Sequence, residues 1–330
     1  MKGAFDAAWW PGILLSLREF RCPANLYYLA KNYFKDRSMI LESNNNRIEK
    51  QVSRGCPQGS CSGPGFWNLQ YNSLLNLEFC KNTNVLAFAD DLVVVVSGKT
   101  SMEAENYANI EINKITKWAK RNKMEFNADK SKVMLVTHRR STINNKLSIY
   151  LNSTTLEQVK EMKYLGIILD NKLNFNKHIE YASDRCLKTV NTLIRSARIS
   201  WGLKHEALKI IYNGAVLPLL LYGVPIWIKA LDIKKNQEKY KRIQRILNIR
   251  MVGAFRTLSF EASCVMSGQV PIILKSKEAA SIYYMMKGIV HMDETYDLPI
   301  STQKWFYPSA ILKLDEITDE TAINYIYRWK

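Results

Sequence analysis

Histidine is scarce in this 330-residue chain, with four in all, and no two of its six cysteines stand in a Cys-x-x-Cys pair. Structural zinc centres are built from clusters of those two residues, so a zinc module is not expected. Cys22, Cys56, Cys61, Cys80, Cys186 and Cys264 are too dispersed, in a chain this long, to read as a disulfide scaffold, and a reducing interior fits better. Long apolar runs are missing as well. The strongest, residues 215–228, is broken by Pro218 and Pro225 and reads as a buried helix-and-turn segment, not a membrane span. The first ten residues hold an acid and two tryptophans and lack the order of a signal peptide. Acidic residues are also in short supply: 30 Asp and Glu face 47 Lys and Arg, a net charge of +17. That imbalance implies a polyanionic partner, nucleic acid first and an anionic membrane surface second. With 47 % apolar and 23 % charged residues the composition is otherwise that of a globular protein, and the length suits two or three domains.

What the chain does have is an acidic pair set among β-formers, Val85-Leu86-Ala87-Phe88-Ala89-Asp90-Asp91-Leu92-Val93-Val94-Val95-Val96. Val and Phe favour strands. Ala89-Asp90 between them suits a two-residue hairpin turn, with Asp91 opening the return strand. Two adjacent carboxylates repel unless a cation compensates, and at a sheet edge they suit a hard ion such as Mg²⁺. Upstream, Arg54-Gly55-Cys56-Pro57-Gln58-Gly59-Ser60 is a loop by composition, and Ser62-Gly63-Pro64-Gly65 leads into a helix over 66–79. Further helices are expected at 11–20, from Pro23 with Leu26, Leu29, Ala30 and Phe34 on one face, and at 101–122 with Ile112, Ile115, Trp118 and Ala119 inward. Short strands are expected at 38–41 and 47–52 around an Asn44-Asn45-Asn46 turn and at 132–137, with strands or small hairpins at 147–151, 155–159 and 164–169. Beyond Lys177 the pattern is helical, at 184–199, 204–217, 232–249 and after Pro271.

The positive charge is concentrated. Residues 114–146 carry ten Lys or Arg against two acids, and residues 171–250 carry sixteen against five. On the helix at 232–249, Tyr240, Ile243 and Leu247 share an apolar face, while Lys234, Lys235, Lys239, Lys241, Arg242 and Arg245 surround the rest. A helix of that kind packs by one side and offers the other to phosphates, or simply to solvent.

Taken together in order and spacing, these motifs resemble the reverse transcriptases of non-LTR (LINE-like) retrotransposons, nearest the arthropod Jockey and ribosomal-DNA-inserting groups. Phe88-Ala89-Asp90-Asp91 is similar to the family's aromatic-x-Asp-Asp motif. Residues 54–60 with Gly63-Pro64 are similar to its R-G-x-P-Q-G-S motif, and Gly3-Ala4-Phe5-Asp6 with Trp9-Trp10-Pro11 to the tail of its first palm motif. Asn127 with Lys130-Ser131-Lys132, Tyr164-Leu165-Gly166, His178-Ile179, Tyr222-Gly223 with Trp227, and residues 253–257 follow in family order. The resemblance implies an α+β fold: a right-hand polymerase palm, an antiparallel sheet backed by helices with its first strand and most of the fingers missing, followed by a mostly helical thumb and C-terminal region. The implied boundaries are 1–138 for the partial palm with residual fingers, 139–170 for junction hairpins, 171–250 for the basic thumb region and 251–330 for a C-terminal helical region.

The same resemblance implies RNA-directed DNA polymerisation, with two Mg²⁺ ions (Mn²⁺ as a substitute) joining a dNTP to a DNA primer on an RNA template. Asp90 is then a metal ligand and Asp91 an accessory acid. Phe5, Arg54, Gln58, Gly59, Lys130 and Lys132 lie against nucleotide or template, and Lys234, Lys235, Lys239, Arg242 and Arg245 against the nucleic-acid backbone. Nicked target DNA and element RNA are the implied partners, with no membrane, in the nucleus during synthesis and the cytoplasm during assembly. The family's first motif runs Asp-x-x-x-Ala-Phe-Asp, and its metal-binding Asp aligns one position before Met1. Asp6 matches the second, supporting acid, which implies a fragment without polymerase activity of its own. A non-catalytic nucleic-acid-binding remnant or domesticated protein stays open as the alternative. A group II intron or telomerase type is disfavoured by the Trp-Trp-Pro start and the Gly-Ala-Phe-Arg-Thr segment.

Overall fold

A computed structural model describes residues 3–43, 46–57, 59–137, 145–196, 205–287 and 323–329. The chain divides into two compact units, Met1–Lys160 with Thr318–Lys330, and Glu161–Ile317. Both helices and short, mainly antiparallel sheets are present, the α+β mixture expected from sequence.

The first unit opens with α1 (Ala4–Ala7), α2 (Trp10–Glu19) and α3 (Ala24–Phe34), then the hairpin β1 (Ser38–Ser43) and β2 (Asn46–Gln51). Pro11 stands in the first turn of α2, where its missing N–H leaves no bond unmade. The expected inner face of α3 is half realised: Ala30 and Phe34 are buried, but Leu26 and Leu29 are exposed. Helical spacing identifies a face without saying how much of it a neighbour covers.

A five-stranded sheet follows, in the order β3 (Thr83–Phe88), β4 (Asp91–Gly98), β11 (Ile323–Trp329), β5 (Lys132–Val136), β8 (Glu157–Gln158). Only β5 and β8 run parallel. Strand β4 is bonded along both edges, and Leu92 to Val96 are all fully buried. Burial on both faces explains why this strand reads as an unbroken apolar run without alternation. Leu92, Val94 and Val96 belong to the core formed with Trp67, Tyr71 and Leu74 of α4 (Gly63–Leu75) and Ala104, Ala108, Ile112 and Trp118 of α5 (Ser101–Arg121). Helix α5 starts where expected because the Thr100 side chain accepts from Glu103 N–H at 3.1 Å while Glu103 accepts from Lys99 N–H at 2.8 Å. Gly98 lets β4 turn into that helix, since a Cβ there would lie 2.7 Å from Ala104 N. Of the strands or small hairpins expected at 147–151 and 155–159, the structure forms a small hairpin of β6 (Tyr150–Leu151) and β7 (Thr154–Thr155) ahead of β8.

The second unit starts with the hairpin β9 (Glu161–Tyr164) and β10 (Ile167–Asp170). Its two turn residues, Leu165 and Gly166, have φ of 42° and 88°, the positive values that the twist of a tight hairpin favours. The helices are α6 (Asn176–Ser196), α7 (His205–Ile211), α8 (Leu217–Leu221), α9 (Val224–Trp227), α10 (Lys234–Val252), α11 (Phe260–Ser267) and α12 (Ile272–Met286). A widened π turn over Tyr212–Val216 joins α7 to α8. Pro218 lacks the N–H that an α-helix would offer to the Gly214 carbonyl, and the chain accommodates this with one loose turn ahead of it. The apolar stretch 215–228 is folded inward, with Leu220, Leu221, Val224 and Trp227 fully buried. No single helix among the described residues is long and apolar enough to cross a membrane.

The motifs read in this region converge. Tyr222 Oη donates to the Leu165 carbonyl at 2.7 Å, and Trp227 Nε1 to the Tyr222 carbonyl at 2.9 Å. Gly223, at φ 67°, passes so close to Ile167 that a Cβ would lie 2.6 Å from its Cδ1. The His178 ring stands 5.7 Å from Trp227, whose other neighbour is Tyr240 at 5.7 Å, edge-on. Behind them buried Gln244 is fully used: its amide N–H groups reach Tyr212 Oη and the Val270 carbonyl, and its oxygen accepts from Ile272 N–H.

Burial lowers the His178 pKa from 6.5 to about 4. The unfolded chain therefore takes up a proton that the folded one refuses, and stability falls as pH drops from about 6.5 to about 4, by on the order of 3 kcal/mol. Urea unfolding of the wild type and of His178→Gln, followed across that range, is expected to show a shallower loss in the variant. Parallel profiles would contradict the assignment.

Candidate active site

Asp90 and Asp91 sit where the hairpin reading placed them. Phe88 pairs with Asp91, leaving Ala89 and Asp90 as a two-residue turn, and both carboxylates are partly exposed. Ala89 has φ 52°, a left-handed conformation uncommon for a residue with a side chain. Its carbonyl accepts a hydrogen bond from Trp67 Nε1 at 3.0 Å, so the turn is fastened to helix α4. The Trp67 ring, 1 % exposed, is stacked between Phe5 at 5.5 Å and Tyr71 at 5.1 Å, and Trp118 meets Tyr71 edge-on at 6.0 Å. Phe5 therefore reaches the acidic turn through one indole ring.

The loop after β2 is bound to the same segment. Gly55 N–H donates to the Ala8 carbonyl at 2.7 Å, Cys56 N–H to the Phe5 carbonyl at 2.8 Å, and Trp10 Nε1 to the Gly55 carbonyl at 2.8 Å. Gly55 has φ 102°, and a Cβ would stand 3.1 Å from the Asp6 carbonyl oxygen. The close approach that demands glycine here is thus to the chain's own backbone. Gly59, at φ 82°, is different: nothing lies within 4 Å of where its Cβ would be, so that side of the turn is open. Arg54 is exposed on the loop, and Gln58 falls outside the described residues.

Among the remaining candidates, Lys130 is exposed in a turn where Asn127 Oδ1 accepts from the N–H groups of Asp129 and Lys130. Lys132 is engaged by the Glu157 carboxylate, which joins β5 to β8, so much of its charge is already matched. On α10, Lys234, Lys235 and Arg242 are exposed or partly exposed. Lys239 is paired with Glu180 at 3.2 Å, and the Arg245 guanidinium donates to the carbonyls of Leu258 and Arg256, tying down the segment before α11. Lys239 also draws the Glu180 carboxyl below the usual range, chiefly by its hydrogen bond. The five basic candidates on the helix thus divide into three cations turned to solvent and two with partners inside the unit.

The carboxylates suit a hard cation, and Mg²⁺ is commonly held by one or two of them together with substrate phosphates. No group of three His, Cys, Asp or Glu placed to hold a metal occurs among the described residues. The two aspartates therefore fit part of such a centre. What sequence reasoning missed is Trp67, the residue that pins the turn; its only signal was an indole on the helix preceding the acidic hairpin.

Residues 1–169 match the family described as reverse transcriptase (RNA-dependent DNA polymerase). The chain is 31 % identical over 292 residues to the retrovirus-related Pol polyprotein from type-1 retrotransposable element R1 of Bradysia coprophila, covering 88 % of this chain and 29 % of that protein. It is 27 % identical over 269 residues to a second R1 Pol polyprotein, from Nasonia vitripennis, covering 81 % of this chain and 65 % of that one. To the RNA-directed DNA polymerase from mobile element jockey of Drosophila funebris it is 26 % identical over 263 residues, covering 77 % of this chain and 28 % of the relative. The chain thus spans less than two thirds of each of these relatives. With the family match over half its length, the acidic hairpin joined by Trp67 to Phe5 and the glycine loop bonded to the Phe5 backbone, the chain belongs to the reverse transcriptases of non-LTR retrotransposons.

Proposed function

We propose that this chain is the palm and thumb portion of an RNA-directed DNA polymerase, built for transfer of a nucleotide from a dNTP to a DNA primer on an RNA template. The observation that carries the reading is the Asp90-Asp91 turn held by Trp67 beside Phe5 and the Arg54–Cys56 loop. In this reading Asp90 is the metal ligand and Asp91 the accessory acid. Phe5 lies under the sugar of the incoming nucleotide, Gln58 and the open side of Gly59 face template base and nucleotide, and Arg54 and Lys130 meet phosphate. Two Mg²⁺ ions about 4 Å apart would lower the pKa of a primer hydroxyl and neutralise the leaving pyrophosphate. Holding two takes a third carboxylate besides Asp90 and Asp91. Element RNA and nicked target DNA are the proposed partners, and a nuclear site of synthesis follows from them.

Primer extension on an RNA template with Mg²⁺ and dNTPs is expected from a longer protein that includes the preceding family segment, and not from residues 1–330. Asp90→Ala in the longer protein is expected to abolish it. Robust Asp90-dependent extension by residues 1–330 would overturn this expectation.

Trp67→Phe keeps the stacked ring but loses the bond to Ala89, so a stability loss of about 1 kcal/mol is expected in urea unfolding. Extension by the longer protein should fall roughly tenfold, because small displacements of catalytic groups are costly. Unchanged extension would remove the turn-pinning role.

The solvent-facing cations of α10 carry a separate expectation. Combined Lys234→Ala, Lys235→Ala and Arg242→Ala substitution should weaken RNA binding and make its dependence on salt less steep, by about 0.7 in log–log slope for each single-strand phosphate that is no longer neutralised. Arg245→Ala should instead lower stability, since its guanidinium holds two carbonyls. An unaltered salt slope in the triple variant would dismiss this helix as a backbone track.

A further inference from the structure

Within the unit Glu161–Ile317 lies a cavity of about 430 Å³, of the size that small-molecule sites occupy. Ala215, Pro218 and Leu219 give it apolar walls, and His178, Tyr181, Arg185 and Tyr222 are its side chains with polar atoms. Those four are differently committed. Tyr222 uses its hydroxyl on the Leu165 carbonyl, so its ring serves as wall. Tyr181 is held at its hydroxyl by Lys163 Nζ, 2.6 Å away, and that ammonium also lies 4.7 Å from the ring centre. Arg185 adds a second cation on the cavity side of α6, itself within hydrogen-bonding reach of Tyr181.

His178 is the most constrained. It is 3 % exposed, and its Nδ1 accepts the Ile168 backbone N–H at 3.3 Å. The neutral ring therefore carries its proton on Nε2, for which no described residue supplies an acceptor. That N–H, on a residue that lines the cavity and without a protein partner, is open to an acceptor from a ligand. The π turn shapes the opposite wall. It puts Gly214 and Ala215 on the lining, and a Cβ added at Gly214 would meet nothing within 4 Å. π turns of this kind recur at functional sites.

Flat aromatic walls, one oriented N–H donor and adjacent cations describe a particular class of ligand. We propose that this cavity binds a single unstacked nucleobase, with His178 Nε2–H donating to an acceptor on the base edge and Arg185 meeting the attached phosphate. Aromatic faces accept any base by stacking, and the cation accounts for the phosphate. An alkyl chain would leave the His178 proton unmet. Binding here needs neither metal ion nor primer terminus, so it succeeds or fails independently of polymerisation.

Gly214 supplies the test, because its missing side chain borders the opening and not a neighbour. The full chain would be titrated with a short DNA single strand whose one base is 2-aminopurine, the other positions being abasic, and with the fully abasic strand. Wild type is expected to bind the base-bearing strand about tenfold more tightly and to quench its fluorescence, in keeping with the usual strength of base–aromatic stacking. Gly214→Phe, which fills the space, should bring both strands to equal affinity, whereas Gly214→Ala should keep the difference. Arg185→Gln should weaken binding of both strands. Thermal unfolding of each variant checks that the fold is retained. Competition by dAMP that Gly214→Phe abolishes would support the cavity and identify a free nucleotide as its ligand; absence of competition, with the strand difference intact, would identify a base within a strand. Equal affinity of wild type for the two strands, or a difference that survives Gly214→Phe in a folded variant, would overturn the proposal.

Discussion

One hydrogen bond, from the Trp67 indole to the carbonyl of Ala89, fastens the acidic turn to the helical layer of the first unit. A two-residue turn with an alanine at positive φ is not a conformation that local preference would hold by itself. The bond works because the indole is immobilised. Phe5 and Tyr71 stack on its faces, and α4 is packed through Trp67, Tyr71 and Leu74 into the same core as β4 and α5. The Arg54–Cys56 loop joins this arrangement through backbone bonds to Phe5 and Ala8. Groups far apart in sequence thus share one rigid support, as a site requiring positional accuracy demands.

The second unit reaches comparable order by a different route. Its hairpin turn is clasped by Tyr222, Tyr222 is clasped by Trp227, and Trp227 packs between His178 and Tyr240. Gln244 then satisfies three polar groups in a place water does not reach. By the bonds they make, the sequence motifs of this region are mainly a scaffold. The cavity lies among the same residues, and the Ile168 N–H holds its histidine in a single tautomer.

Charge makes the difference between counting and placing residues plain. A net +17 is a property of composition and speaks of a polyanionic partner whatever the fold. Where the charge can act is another matter. Lys132, Lys239 and Arg245 each find a partner inside their own unit, whereas Lys130, Lys234, Lys235 and Arg242 face solvent. An arginine that holds two backbone carbonyls and one that meets solvent look alike on a helical wheel.

Much of the architecture was legible without coordinates. The acidic hairpin, helix α5 with its inner face, and the buried face of α10 follow from periodicity and turn chemistry, which act between near neighbours. The glycine at 55 was legible as part of a loop, though not as a close approach to Asp6. By contrast, Ile323–Trp329 lies between β4 and β5, pairing Ile323 with Gly98, and nothing near either segment announced it. Strand pairing is made by backbone groups that nearly every residue carries, so composition cannot name the partner. The exposure of Leu26 and Leu29, the π turn before Pro218, the commitment of Arg245 and the Nε2 proton of His178 were likewise settled by packing. Sequence by itself determined most of the helices, the acidic hairpin and where the carboxylates stand, because those depend on neighbours along the chain. Tertiary structure alone decided which charges are spent, which faces are covered and where a cavity remains, because those depend on neighbours in space.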